Sequence, residues 1–149
     1  MSGIDIVNVR LVKEPYLYSV KEVKTSNDAI ETIAEEFSTY DREVFAVLNL
    51  NTRGQVINVN VVAVGTLNAS LVHPREVFKS CILSNAASFI AIHNHPSGST
   101  DPSNEDIQVT KRLKQCGNLL GISMLDHIII GGESGDTFSF AAEGLMLDC

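Results

Sequence analysis

The sequence predicts an α/β fold: a single three-layer domain over residues 1–149, with helices flanking a mixed β-sheet. Segments with strand and helix periodicity intermix along the chain instead of separating into blocks. Two apolar, β-rich segments flank Asn51-Thr52-Arg53-Gly54, a turn signal that implies an antiparallel hairpin and therefore a sheet that is not purely parallel. The 149 residues are 44% hydrophobic and 19% charged, which suits one buried core and argues against disorder.

Residues 4–12 alternate loosely (Ile4, Ile6, then Val7, Val9, Leu11) and predict a first strand, ended by Glu14-Pro15. A helix over residues 27–39 follows, with Asn27 as N-cap and Ile30, Ile33, Ala34 and Phe37 as its apolar face. Residues 43–50 predict a buried strand and residues 55–64 its hairpin partner. His73-Pro74 opens a helix over residues 74–87, with proline at the first helical position and Val77, Phe78, Cys81 and Ile82 facing inward. A short strand covers residues 88–93, and a Gly/Ser/Pro loop residues 96–102. Ser103 starts a helix with Ile107, Val109, Leu113, Cys116 and Leu120 as core positions, closed by Gly117 or Gly121. Strands over residues 122–130 and 137–140, joined by a turn, complete the chain.

Eighteen acidic and eleven basic side chains leave a net charge of −7, a poor balance for nucleic-acid binding, which depends on cationic contacts to phosphate. The basic residues Lys111, Arg112 and Lys114 read as a solvated helix face. No uncharged stretch is apolar enough to span a membrane, and the N-terminus lacks a basic region followed by an apolar block. Cys81, Cys116 and Cys149 are odd in number and lack metal-finger spacing, so a reducing cytoplasm fits them.

The informative stretch runs from His93 through Asn94, His95, Ser103 and Asp106. Histidines at i and i+2 on a strand project to one face, and a carboxylate on the next helix can close a third side of a zinc site that keeps its fourth position open. Other divalent metals suit the same donors. By itself a His-X-His pair is more often chance than a site, and Ser103 with Asp106 has a complete reading as a helix start. Neighbouring His-Asn-His letters say nothing of an HNH nuclease, whose residues are dispersed.

The whole constellation resembles the JAMM (MPN-plus) metallopeptidase motif: an upstream Glu, His-X-His, seven residues, Ser, two residues, Asp. His95 and Ser103 are separated by seven residues, Ser103 and Asp106 by two, and Glu43 stands directly before Val-Phe-Ala-Val-Leu. Gly65-Thr66-Leu67-Asn68, His73-Pro74-Arg75-Glu76-Val77-Phe78, His-Asn-His-Pro-Ser-Gly and Leu125-Asp126-His127-Ile128-Ile129-Ile130-Gly131 are similar to the RadC-like branch. The resemblance implies the JAMM/MPN, cytidine-deaminase-like architecture. It also implies Zn²⁺ held by His93, His95 and Asp106, Glu43 as general base toward the attacking water, and Ser103 as donor to the tetrahedral intermediate. The implied reaction is hydrolysis of a peptide or isopeptide bond in a peptide or protein substrate.

Other polar residues have plainer readings. His73 is a helix-entry residue, Asp126-His127 a buried pair with a supporting role near the metal as an alternative, and Asp101 a loop residue that either hydrogen-bonds a ligand histidine or only solvates the loop. Glu76, early on an amphipathic helix, stands second to Glu43 as base. Deubiquitinating JAMM enzymes usually carry Ser or Thr between the histidines, where this chain has Asn94. Residues 1–26 are too few for the helix-hairpin-helix region of full-length RadC proteins, which weakens a DNA-repair role. The competing functions are a non-catalytic MPN-type interaction module and a DNA-repair-associated metal hydrolase.

Overall fold

The structure is a computed structural model and describes residues 2–14, 24–66 and 71–146. Its elements are α1 (Ser26–Phe37), β1 (Val44–Leu50), β2 (Val56–Val64), α2 (Pro74–Leu83), β3 (Ser88–Asn94), α3 (Asn104–Leu120), β4 (Ser123–Gly131) and β5 (Asp136–Ser139). The five strands form one mixed sheet in the order β2-β1-β3-β4-β5. Pairing is antiparallel except between β3 and β4, which run parallel because α3 carries the chain back across the sheet.

Both faces of the sheet are covered, so β1 and β3 are buried along their whole length, with apolar stretches Val44–Leu48 and Phe89–Ile92 and the polar Asn49, Ser88, His93 and Asn94 buried beside them. On one face Ile33 and Phe37 of α1 pack on Ala46, Leu48, Ile90 and Ile92. On the other, Val77, Phe78 and Cys81 of α2 and Val109 and Leu113 of α3 pack on Phe45, Val47, Phe89 and Ile129. Burial pushes the Cys81 thiol up to about 12, so it serves as a packing group and not a nucleophile.

The expected strand over residues 4–12 does not form. These residues carry no strand assignment, and Ile4 and Ile6 stand 97% and 96% exposed. Alternation marks a segment able to pair, but a strand exists only when a neighbouring edge accepts its hydrogen bonds. Pro15, Leu67, Asn68 and Cys149 lie outside the described residues.

Helix ends differ from the sequence expectation where a neighbouring residue caps better. Thr25, not Asn27, caps α1, in a reciprocal box in which Thr25 Oγ1 accepts from the Asp28 amide and Asp28 returns the bond to the Thr25 amide. The helix opened by Pro74 stops at Leu83 instead of residue 87, followed by Asn85 in a left-handed conformation. Of the two candidate closing glycines of α3, Gly121 is the left-handed cap (φ 74°). Gly117 lies inside the helix for a different reason: a Cβ there would sit 2.4 Å from the Ile122 carbonyl oxygen, so only glycine lets α3 approach the start of β4. Ile82, Ile107 and Leu120 are 54%, 40% and 49% exposed, because the two helices lie side by side on one face and each buries only a narrow stripe.

Candidate metal centre

The centre forms where β3 ends, on the face covered by α2 and α3. His93 is the sixth residue of β3 and fully buried. His95 lies one residue past the strand, but its amide donates to the Ile130 carbonyl (2.8 Å), which extends the β3–β4 register by one residue. The two imidazoles therefore share a face, and their Nε2 atoms are 2.9 Å apart.

Asp106 arrives from the first turn of α3. It belongs to a capping box in which Ser103 Oγ accepts from the Asp106 amide (3.0 Å) while Asp106 Oδ2 accepts from the Ser103 amide (2.8 Å). The box turns the carboxylate back toward β3, with Oδ1 3.4 Å from His93 Nε2 and Oδ2 3.2 Å from His95 Nε2. The helix-start reading and the ligand reading are thus one geometry. Ser103 spends a lone pair on the cap, which leaves its O–H free to donate into the groove outside.

Glu43, at the entry to β1, brings a carboxylate oxygen within 4.8 Å of both histidine nitrogens. Its main chain is tightly held: Gly65 N donates to the Glu43 carbonyl (2.8 Å), and the buried Asn94 amide brackets it. Asn94 Oδ1 accepts from the Val44 amide (2.7 Å) and Nδ2 donates to the Arg42 carbonyl (2.9 Å). The residue between the histidines thus points to the opposite sheet face and fastens the strand that carries Glu43. Asn94→Leu would strand a buried donor and acceptor and is expected to destabilise by about 1–3 kcal/mol. Urea unfolding, with Asn94→Asp as the partial substitute that keeps the acceptor, would measure it.

These residues fit a zinc ion. For ligands about 2.0–2.1 Å from a tetrahedral metal, donor atoms lie roughly 3.3 Å apart, the scale of the 2.9–3.4 Å separations found here. Two neutral nitrogens and a carboxylate are a suitable donor set. His95 Nδ1 faces the Ser99 carbonyl at 2.8 Å, which takes a proton on that side and leaves Nε2 bare toward the site.

The electrostatics follow from who touches Asp106. Burial would raise its carboxyl, but His93, His95 and the Ser103 amide outweigh burial and hold it well below the usual carboxylate range. Its hydrogen bond to His95 raises that imidazole. Burial dominates at His93, which is lowered despite Asp106, and at His127, which is lowered further.

An open groove of about 670 Å³ runs over the centre, lined by Arg42, Glu43, Thr66, His95, Asp101 and Ser103 among others. A second, apolar groove of about 420 Å³ lies between α2 and α3, lined by Phe78, Ile82 and Leu119, and holds none of these polar groups.

The remaining sequence candidates fall elsewhere. Glu76 pairs with Lys79 (2.8 Å) and is not a groove residue. His73 caps α2, accepting from the Arg75 amide (3.0 Å). Asp126 does not pair with the His127 ring: it accepts from Ser139 Oγ, the Ala141 amide and the His127 amide, tying β5 and the following turn to β4. The ring of His127 instead meets His93 Nδ1 at 2.7 Å. The Ser99 carbonyl, and not the Asp101 carboxylate, faces His95. A backbone atom leaves no trace in residue identity, so sequence reasoning had no signal for it.

The profile of the RadC-like JAB domain matches residues 23–145. The chain belongs to the RadC-like JAB domain family. Among the relatives of this RadC-like JAB domain are the UPF0758 protein YsxA of Bacillus subtilis (strain 168), 50% identical over 111 residues that cover 74% of this chain and 48% of the relative. A UPF0758 protein of Geobacillus thermodenitrificans (strain NG80-2) is also 50% identical over 111 residues, 74% of this chain and 49% of the relative. A third, from Caldanaerobacter subterraneus subsp. tengcongensis, is 48% identical over 113 residues, 76% of this chain and 48% of the relative. The chain spans about half the length of these curated relatives. No helix among the described residues is long and apolar enough to cross a membrane.

Proposed function

We propose that this RadC-like JAB domain is a zinc-dependent hydrolase of peptide or isopeptide bonds in a peptide or protein substrate. The observation that carries the reading is the convergence of His93 Nε2, His95 Nε2 and the Asp106 carboxylate within 2.9–3.4 Å, with the Glu43 carboxylate beside them under an open groove.

His93, His95 and Asp106 would hold the ion. Zinc, when bound, supplies Lewis acidity that lowers the pKa of water toward ~7 and polarises a carbonyl. Glu43 then accepts the proton of the water whose oxygen attacks the scissile carbonyl carbon. As the C–N bond breaks, Glu43 returns the proton to the departing amine nitrogen. The free O–H of Ser103 donates to the oxygen that gathers negative charge. His93 and His95 present neutral lone pairs and take no part in proton transfer.

Untagged protein is expected to carry one zinc per chain by elemental analysis, and His95→Ala to lose it. Equal substoichiometric zinc in both would sink the assignment. A peptide library and ubiquitin-like fusions then test for cleavage by the zinc-loaded protein; a metal-loaded protein that cleaves neither would favour the non-catalytic interaction module.

Acid should release the metal in a defined order. Only the neutral imidazole binds, so protons compete with zinc at each histidine. Asp106 stays ionised and His93 resists protonation, whereas His95 is raised, so His95 protonates first as pH falls. Zinc affinity is therefore expected to be flat above the His95 pKa and to drop ~10-fold per pH unit just below it. Chelator competition between pH 5 and pH 8 reads this slope; an affinity that rose with acidification would contradict it.

A further inference from the structure

We propose that His127 and Thr110 are positioning residues that fix the tautomer of His93 and so aim the lone pair of its Nε2 at His95 and Asp106. The proposal rests on the metal-site reading above, but its first readout requires no metal.

The hydrogen-bond relay starts on α3. Thr110 Oγ1 lies 2.8 Å from the Asp106 main-chain carbonyl, which can only accept, so the Thr110 hydroxyl proton goes there. The Thr110 oxygen then offers only lone pairs to His127 Nδ1, 2.5 Å away, and the proton between those two atoms belongs to Nδ1. His127 has no exposure and is enclosed by the rings of Phe140, stacked at 4.6 Å, and Phe45, edge-on at 5.7 Å. This apolar enclosure keeps the imidazole neutral, with a single ring proton. With that proton on Nδ1, His127 Nε2 is an acceptor. The atom facing it is His93 Nδ1 at 2.7 Å, which must donate. His93 therefore carries its proton on Nδ1, and its Nε2 is bare.

The relay begins and ends at one residue. The Asp106 main-chain carbonyl sets the direction of the whole chain of hydrogen bonds, and the Asp106 side chain sits 3.4 Å from the Nε2 that the chain lays bare. His95 reaches the same state independently through Ser99. Each candidate ligand histidine thus has its outer nitrogen occupied, one by a loop carbonyl and one by a buried side-chain relay.

The test uses the ¹⁵N-labelled, metal-free full chain at neutral pH, where histidine ring nitrogen shifts report the tautomer. His93 and His127 are both expected in the Nδ1–H form. His127→Leu fills the space but removes the acceptor. It should redistribute the His93 tautomer and weaken Zn²⁺ binding ~10–100-fold by chelator competition, the usual cost of losing such a partner. His127→Gln can accept from His93 through its carbonyl and donate to Thr110 through its amide, and should restore most of the affinity; a purely space-filling role would favour Leu over Gln. Thr110→Val decides the matter if His127→Leu does not fold, because it breaks the far end of the relay without touching either imidazole. It should mix the His127 tautomers. An Nε2–H tautomer at His93 in the wild type overturns the proposal, as does a folded His127→Leu that keeps the wild-type His93 tautomer. Unchanged Zn²⁺ binding in His95→Ala would instead overturn the metal-site reading, which the tautomer measurement does not depend on.

Discussion

Glu43→Gln is expected to keep its zinc and its fold while losing most turnover, by ~10²–10⁴-fold, the usual contribution of a general base. Glutamine keeps the shape and a hydrogen-bonding group but cannot accept the proton. The backbone at this position is pinned by Gly65 and by the Asn94 amide on either side, and neither contact involves the Glu43 side chain. Zinc content and turnover must be measured on the same preparation. The carboxylate lies within 4.8 Å of both histidine nitrogens, close enough that it could itself serve as a ligand. A metal-free Glu43→Gln protein would therefore reassign it from base to ligand. Unchanged turnover with zinc retained would remove it as base, and Glu76, the second base candidate from the sequence, is tied to Lys79 and does not line the groove.

Asp106→Ala should show the largest loss of metal, because it removes one of the three proposed ligands and also the group that contacts the other two. The carboxylate contacts both imidazoles and closes the α3 capping box, so its removal opens the centre and frays the helix together. Zinc is expected to fall from one per chain to a small fraction. The lost half of the box should cost about 0.5–2 kcal/mol of stability in the metal-free protein. Asp106→Asn separates the two effects: its side-chain carbonyl can still accept from the Ser103 amide, so it should retain most of the stability while binding zinc more weakly. If Asp106→Asn bound zinc like the wild type, the carboxylate would be a helix cap and nothing more. Calorimetric unfolding without metal, followed by zinc titration, distinguishes these outcomes.

Local patterning determined much of this protein. The hairpin turn, the proline that opens α2 and the apolar stretches of β1 and β3 are rules about neighbours, and neighbours are what a sequence records. The Ser103–Asp106 interval likewise sets a capping box within one helical turn, and the i, i+2 spacing of His93 and His95 gives them one face once the Ile130 carbonyl extends the β3–β4 register to His95. Three things depended on the fold. Residues 4–12 have a strand's alternation, yet whether they pair is decided by a free edge elsewhere. Glu43 stands fifty residues before His93, and only the antiparallel pairing of β1 with β3, fastened by Asn94, brings it to the histidines. His127 lies on β4, where its letters read as a buried pair with Asp126; the parallel register of β4 beside β3 turns its ring toward His93 and leaves Asp126 to hold β5. Direction along an element is a local property, whereas distance between elements is created when the sheet assembles, and the centre needs both.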